Sequence, residues 1–424
     1  MEEQNLALEA IRKKLVGKEL TYREIYAIMD QIAKEKLGDV LTTYFVASGY
    51  SEGFSNDELY YLTKAMVETG EHLDFRGVVA DKHSIGGVPG TRVTMILVPI
   101  IAAAGFKIPK SSSRAITTPA GTADAMETIA SVSFNKEEIY KIVEKTNGCI
   151  VWGGSFKIAP ADDEIIKIEE PLVFESYDKI VVSVMAKKVA FGATHVVIDL
   201  PYGKTAKIHR PQDAEVLKRK FEYLGKKFGI KVKTFIHKIE EPAGFGIGPL
   251  LEARDSLKVL EQSDDRPMAL EELALDAASQ LLDLCIQDAS QEIKKGFEDT
   301  YKTTRDWAKD LLISGEAHKK MMEIVKAQGG HEISSRDLTP AKKQLIIKSE
   351  RSGKVTHVSS KDITLLAKLL GAPEEKEAGL ILNKRIGDKV EKGDELLVFY
   401  TDSEYRLREA TDSYDLFPIY EIEK

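Results

Sequence analysis

Asp81-Lys82-His83-Ser84-Ile85-Gly86-Gly87-Val88-Pro89-Gly90-Thr91, an apolar run from Val93 to Phe106, and Lys110-Ser111-Ser112-Ser113-Arg114-Ala115-Ile116-Thr117-Thr118-Pro119-Ala120-Gly121-Thr122-Ala123-Asp124 form the stretch on which the reading of this chain turns. Two polar segments flank one apolar run. Between them they gather lysine, histidine, arginine and many hydroxyls, with glycines that let backbone amides come close to an oxyanion. Gly, Ser, Thr and Pro also punctuate ordinary surface loops. Two such loops around a buried helix, each with a cation, favour an anion held at helix N-termini.

Outward from this centre, a short strand is expected over Phe75 to Ala80, delivering the chain into a Lys82 loop. Helices are expected over Thr94–Ala104 and Ala123–Ile129. Upstream, Leu6 to Met66 has helical apolar spacing, and Thr21 with Glu24, then Ser55 with Glu58, read as capping boxes. Downstream, helices over Lys136–Lys145, Lys179–Phe191, Gln212–Phe228 and Pro267–Gln287 alternate with strands over Cys149–Trp152, His195–Pro201 and Lys231–His237. Alternation of this kind predicts an α/β fold with a mostly parallel or mixed sheet. From about Ser334 the texture changes to short runs such as Ile346-Ile347-Lys348 and Gly379-Leu380-Ile381-Leu382, with turns at 386–388 and 391–394, a mainly β module. The run Gly387-Asp388-Lys389-Val390-Glu391-Lys392-Gly393-Asp394 resembles a biotinyl or lipoyl carrier, but no lysine sits in a carrier-type hairpin turn, so no attached cofactor is expected.

A chain of 424 residues exceeds a single ordinary core, so two or three domains are expected. With 43% hydrophobic and 30% charged residues it reads as a soluble globular protein. No apolar run has the length of a membrane span, and residues 1–20 are charged rather than signal-like, which predicts a cytoplasmic location. Cys149 and Cys285 lie far apart, without metal-ligand or redox spacing, and are expected to be packing residues in a reducing compartment. A net charge of −8 argues against a nucleic-acid surface, while leaving room for a local basic pocket that focuses an anionic substrate.

Ser112-Ser113-Arg114-Ala115-Ile116 followed by Ala120-Gly121-Thr122-Ala123-Asp124-Ala125-Met126-Glu127 resembles the signature of the thymidine and pyrimidine-nucleoside phosphorylases. Asp81 to Gly90, with Ile116 to Thr122, is closer to the AMP phosphorylase branch of that family. The resemblance covers nearly the whole chain. It departs at the start, because members of that branch carry an extra N-terminal domain of barrel type and this chain begins at the shared core. It implies a helical lobe discontinuous in sequence (residues 1–74 and 158–192), a larger α/β domain (75–157 and 193–333) and a C-terminal α/β module (334–424). It also implies a homodimer joined through the helical lobe.

By the same resemblance, Lys82, Ser84, Thr94, Ser112 and Thr122 match phosphate-contacting positions, and hydroxyls with an ammonium suit orthophosphate. Thr94 lies in an apolar helical run, so a back-bonded helix threonine is the alternative. His83 matches a proton donor of thymidine phosphorylases; beside a glycine turn it could equally be a hydrogen-bonding scaffold. Arg114 either pairs a phosphate or braces the loop through a carboxylate such as Asp124. The wider nucleotide-binding set comprises Gly87, Ser113, Arg114, Ala115, Ile116, Thr117, Thr118, Thr122, Ser183, Lys187, Lys204 and Lys207. Ser183 and Lys187, four apart on one helical face, match base-contacting positions, whereas Lys188 is expected to face solvent.

Glu169-Glu170 stands where thymidine phosphorylases carry a base-binding arginine, which disfavours pyrimidine recognition of that kind. Glu175 stands where AMP phosphorylases have the aspartate proposed as proton donor; partial burial beside Phe174 would raise its pKa enough to donate, and the alternative is a solvent-facing glutamate. Gly203-Lys204-Thr205-Ala206-Lys207 carries two ammonium groups suited to a 5′-phosphate, though loop lysines are commonly solvated. The expected activity is phosphorolysis of nucleoside 5′-monophosphates, AMP among them, to free base and ribose 1,5-bisphosphate in nucleotide salvage, with no metal or organic cofactor, no nucleic acid and no membrane partner. A pyrimidine-nucleoside phosphorylase is the second reading, and a non-catalytic nucleotide-binding protein the third.

Overall fold

The computed structural model describes residues 2–423 apart from 116–117, 156 and 170–175. In chain order the helices that build the site region are α1 (Glu2–Lys14), α2 (Tyr22–Ala33), α3 (Asp39–Glu52), α4 (Asn56–Glu68), α5 (Val93–Ala103), α6 (Thr122–Glu127), α7 (Lys136–Thr146), α8 (Pro160–Glu169), α9 (Tyr177–Ala190), α10 (Pro211–Phe228) and α11 (Pro249–Leu260). The strands between them are β1 (Ala80–Ser84), β2 (Ile108–Ser112), β3 (Gly148–Trp152), β4 (His195–Tyr202) and β5 (Lys231–Lys238).

β1, β4 and β5 form a three-stranded parallel sheet in the order β1-β4-β5, and β2 pairs with β3, also in parallel. A bridge from Val79 to Lys107 ties the two groups together, setting β2 beside β1. All five strands therefore deliver their carboxyl ends to one edge, where ligands of open α/β sheets bind.

The strand expected at Phe75–Ala80 is displaced: β1 runs from Ala80 to Ser84, in register with His195 to Asp199 of β4. Lys82 and His83 are thus strand residues rather than loop residues. An Asp-Lys-His-Ser strand is tolerable in a buried sheet because Asp81 and Lys82 have the buried partners Lys188 and Asp199; an unpaired charge there would be prohibitive.

α5 is buried on every side, as its uninterrupted apolar sequence requires. With the helices Met268–Cys285 and Glu316–Ala327 it forms the core on one face of the sheet, through Met95, Ile96, Ile100, Leu281, Leu282 and Ile324. Val196, Ile198 and Leu200 of β4 point the other way, onto Val181 and Met185 of α9 and Leu217 and Phe221 of α10. That second core runs on into α1, α2, α4 and α8, so the returning segment joins the N-terminal helices in one lobe.

Both expected capping boxes are present: Thr21 caps α2 against Glu24, and Ser55 caps α4 against Glu58. Glu58 also accepts from the buried Lys14 ammonium at 2.9 Å, pinning α1 to α4.

The C-terminal module has its own core around Leu366, Leu380, Leu397 and Phe399. Its four-stranded sheet has an unforeseen member: Gly246–Ile247, far upstream in sequence, pairs antiparallel with Gly379–Leu382. Among the described residues no helix is long and apolar enough to cross a membrane. No group of three His, Cys, Asp or Glu is placed to hold a metal ion among them either.

Candidate active site

Lys82 and Ser84 alternate along β1 and point to the same side, where the carboxyl end of β4 supplies Asp199. The Lys82 ammonium lies 3.3 Å from Asp199 Oδ2, with both side chains buried. The other oxygen accepts from His237 Nε2, 2.9 Å away. Burial raises the Asp199 pKa, but Lys82, His237 and Ser84 outweigh it and keep the carboxyl below its usual range. Burial likewise lowers the Lys82 pKa against the attraction of Asp199.

Asp81 and His83 point to the opposite side of β1. Asp81 receives the fully buried Lys188 ammonium at 2.6 Å, and the buried Lys110 ammonium lies 3.9 Å from its other oxygen. Lys188 therefore does not face solvent; it spans from α9 to β1 and neutralises a carboxylate in the sheet. His83 is half-buried. Burial first, then Lys188, Lys110, Lys187 and Lys82, push its imidazole pKa well below the ordinary value.

After β1 the chain turns through Gly87 and Gly90, both with positive φ, +63° and +65°. A side chain there would be strained whatever space it had, which explains the glycines. The turn ends at Arg92, the N-cap of α5. Arg92 donates to Thr122 Oγ1 at 3.2 Å, to the Ala120 carbonyl at 2.9 Å and to Glu252 at 2.7 Å. It thereby stitches the first loop to the second. Thr94, in the first turn of α5, is buried.

The second loop leaves β2 at Ser112. The Ser112 hydroxyl is buried without a hydrogen-bond partner among the described residues, a condition that costs free energy unless a ligand completes it. Asp124 organises the remainder of the loop: its Oδ2 accepts from the amides of Ala115 at 2.6 Å and Gly121 at 2.9 Å. Ala123 donates its amide to the Ser113 carbonyl at 3.2 Å, and Thr118 donates to the Ala120 carbonyl at 2.9 Å. Arg114 takes the bracing arrangement, with Glu127 at 2.6 Å, Asp124 at 3.2 Å and its guanidinium over the Trp152 ring. These contacts hold Glu127 down at about 2. Ile116, Thr117 and Glu175 lie outside the described residues.

Ser183 and Lys187 share a partner on α8. Asp162 Oδ2 accepts from the Ser183 hydroxyl at 2.7 Å and from the Lys187 ammonium at 2.7 Å, while its other oxygen is buried without a partner among the described residues. Glu169, also on α8, pairs with Lys179 of α9, whose ammonium burial lowers to about 8. The third loop closes the edge. The Lys207 amide donates to the Gly86 carbonyl at 3.0 Å, and a Cβ on Gly87 would meet the Lys207 stem at 2.8 Å. Lys207 thus lies against the first loop, whereas Lys204 is exposed.

Lys82, Ser84, the α5 N-terminus, Ser112 and Thr122 converge at the carboxyl edge of the sheet. Such a set can hold a tetrahedral oxyanion. Sequence reasoning missed Arg92, Lys110, Asp162 and Asp199, and it placed Lys188 wrongly. The only signal for Asp199 was a carboxylate at the end of an otherwise apolar strand.

The domain matches define a glycosyl-transfer enzyme of the α/β type with an attached helical bundle. The family described as "Glycosyl transferase family, a/b domain" matches residues 76–318, and "Glycosyl transferase family, helical bundle domain" matches 8–70. "Pyrimidine nucleoside phosphorylase C-terminal domain" matches 354–416. The chain belongs to this glycosyl transferase family. It is 43% identical over 404 residues to the AMP phosphorylase of Methanocaldococcus jannaschii, covering 95% of this chain and 78% of that one. AMP phosphorylase 1 of Archaeoglobus fulgidus is 41% identical, with 96% and 78% covered. A Legionella pneumophila (strain Paris) protein, named provisionally as a thymidine phosphorylase, is 40% identical, with 96% and 76% covered. Anthranilate phosphoribosyltransferase from Thermus thermophilus shares the fold at a TM-score of 0.59 and 17% identity, over 76% of this chain and 99% of that one.

Proposed function

We propose that this protein cleaves nucleoside 5′-monophosphates, AMP among them, with orthophosphate. An oxygen of orthophosphate bonds to C1′, the N-glycosidic bond breaks with its electron pair leaving on the base nitrogen, and a proton neutralises the departing base. The products are free base and ribose 1,5-bisphosphate. The observation that carries the reading is the convergence of the buried Ser112 hydroxyl, without a partner among the described residues, with Lys82 and the α5 N-terminus, a cradle for orthophosphate. Lys207, lying against Gly87, supports a second phosphate at the outer edge, and likeness to curated AMP phosphorylases supports the base.

In this mechanism Lys82, Ser84, Thr94, Ser112 and Thr122 hold the nucleophile, and Ser183 and Lys187 orient the base. Little covalent work falls to the protein; positioning and electrostatics supply the rate. Proton delivery is assigned to Glu175 by its match to the AMP phosphorylase branch, with His83 as a hydrogen-bonding partner at the same edge. A homodimer fits the apolar side chains left exposed on the lobe, Leu15, Val16, Val40, Tyr44 and Tyr50. A cytoplasmic place in nucleotide salvage accords with this chemistry.

The pyrimidine-nucleoside reading draws on the match at residues 354–416. A single assay separates the two: base release from AMP, CMP, UMP, adenosine, uridine and thymidine, with and without orthophosphate. Phosphate-dependent release from the monophosphates, with ribose 1,5-bisphosphate as co-product, is expected. Release from nucleosides alone would replace this reading, and ligand-induced stabilisation without turnover would point to a binding protein.

A further inference from the structure

The C-terminal module contacts the site's second and third loops directly and its first loop through residues 242–244. Arg385 donates to the carbonyls of Pro242, Ala243 (3.3 Å) and Gly244 (2.5 Å), with its guanidinium over the Phe245 ring. The grip is reinforced beside it, where Glu241 accepts from the Ile386 amide at 3.0 Å and Phe245 accepts from the Leu382 amide at 2.9 Å. The gripped segment in turn holds the first loop. Gly244 donates its amide to the Gly90 carbonyl at 2.7 Å, and Ala243 donates to Thr91 Oγ1 at 3.2 Å. Gly90 and Thr91 lead directly into Arg92 and the N-terminus of α5.

At the second loop, Lys376 reaches Asp124 and Glu127, each at 3.1 Å. Asp124 is the carboxylate that fixes the amides of Ala115 and Gly121. At the third loop, the Thr205 hydroxyl donates to Ser360 at 3.2 Å. Gly90 and Gly244 are packed so closely that a Cβ on Gly244 would stand 2.6 Å from the Gly90 carbonyl oxygen. A shift in one backbone must be felt by the other.

We propose that the C-terminal module positions the orthophosphate site, with Arg385 and Lys376 as positioning residues that hold the first and second loops through Pro242–Gly244 and Asp124. This inference rests on the proposed phosphorolysis for its kinetic readout. Neither side chain touches the reacting atoms. Arginine suits the task at Pro242–Gly244 because its planar fork satisfies several carbonyls at once, which an ammonium does less well. A misplaced cradle weakens capture of phosphate first, since small displacements of binding groups cost large factors.

The test compares Arg385→Met, Arg385→Lys and Lys376→Met with the wild type in kcat, KM for AMP, KM for orthophosphate, melting temperature, and the rise in melting temperature caused by orthophosphate alone. Arg385→Met should raise the phosphate KM roughly five- to tenfold while kcat and the AMP KM change by less than about twofold, and Arg385→Lys should recover part of the loss. Lys376→Met should raise the phosphate KM in the same sense, and it decides the matter should Arg385→Met fail to fold. An unchanged phosphate KM in folded variants, or parallel loss of every parameter, overturns the proposal. Should the wild type turn over no AMP, the functional reading fails by itself. The clamp is then read from the orthophosphate-induced melting shift, which must shrink in both Met variants; an unchanged shift overturns it.

Discussion

Lys82 and Asp199 face each other across the parallel pair β1–β4, ammonium to carboxylate at 3.3 Å, each with less than a twentieth of its side chain exposed. The pair is kept at the edge where orthophosphate would arrive. Lys82→Met should lower kcat/KM about 10²–10³-fold, the range for removing one oxyanion-stabilising donor. Steady-state kinetics with orthophosphate as the varied substrate, on protein shown by circular dichroism to be folded, checks this. Wild-type rates in the variant would remove Lys82 from the cradle.

Lys207 is expected to distinguish nucleotides from nucleosides. A hydrogen bond from an ammonium to a 5′-phosphate contributes about 1.5–3 kcal/mol, so kcat/KM for AMP should exceed that for adenosine by at least a factor of ten. Lys207→Ala should erase most of that preference and leave adenosine nearly unchanged. The four rate constants form a cycle that isolates the contact. Equal slowing of both substrates would assign Lys207 a structural role only.

Lys188 should matter to the fold rather than to substrate. Lys188→Met strands Asp81 without its 2.6 Å partner in the sheet, and removing one member of a buried pair costs about 3–5 kcal/mol. The double variant Asp81→Leu, Lys188→Met should recover much of the loss, because two buried charges leave together. Urea unfolding of the three proteins decides it. A double variant no more stable than the single one would mean that the pair specifies packing and not charge balance.

Lys110 is pushed down from 10.5 to about 7, by burial first and then by Lys188. Between these two values the unfolded chain holds a proton at this residue that the folded protein has released, so Lys110 makes stability rise with pH across that window. Below the folded value both states are protonated and the dependence ends. The denaturation midpoint of the wild type relative to Lys110→Met should therefore climb from pH 7 to pH 9. A constant difference between the two proteins would show that Lys110 keeps its proton throughout.

Most helices were legible because their apolar spacing and caps are local: Thr21 with Glu24, Ser55 with Glu58, and the seamless apolar run of α5. β1 was misplaced because its pattern is ionic. Asp81 and Lys82 are acceptable in a sheet only through Lys188 and Asp199, which come from elements far along the chain, and no window of sequence around β1 contains them. Lys187 and Lys188 illustrate the same limit, since two adjacent lysines on one helix have opposite fates, and only the tertiary position of Asp162 and Asp81 separates them. Ser112 and Thr122 were singled out only through the family resemblance, and the arginine that joins their loops, Arg92, carries no motif of its own.

The strand Gly246–Ile247 is borrowed: it lies in the middle of the α/β segment yet completes the C-terminal sheet. Anyone grafting this module onto a relative, or exchanging it between family members, cannot cut cleanly near residue 334. The transplanted sheet would arrive with one edge bare, and the recipient would keep an orphan β-dipeptide tuned to the wrong mate. The exchangeable unit is two pieces, the tail and the Pro242–Gly248 ribbon, and their co-inheritance is the condition for a working hybrid.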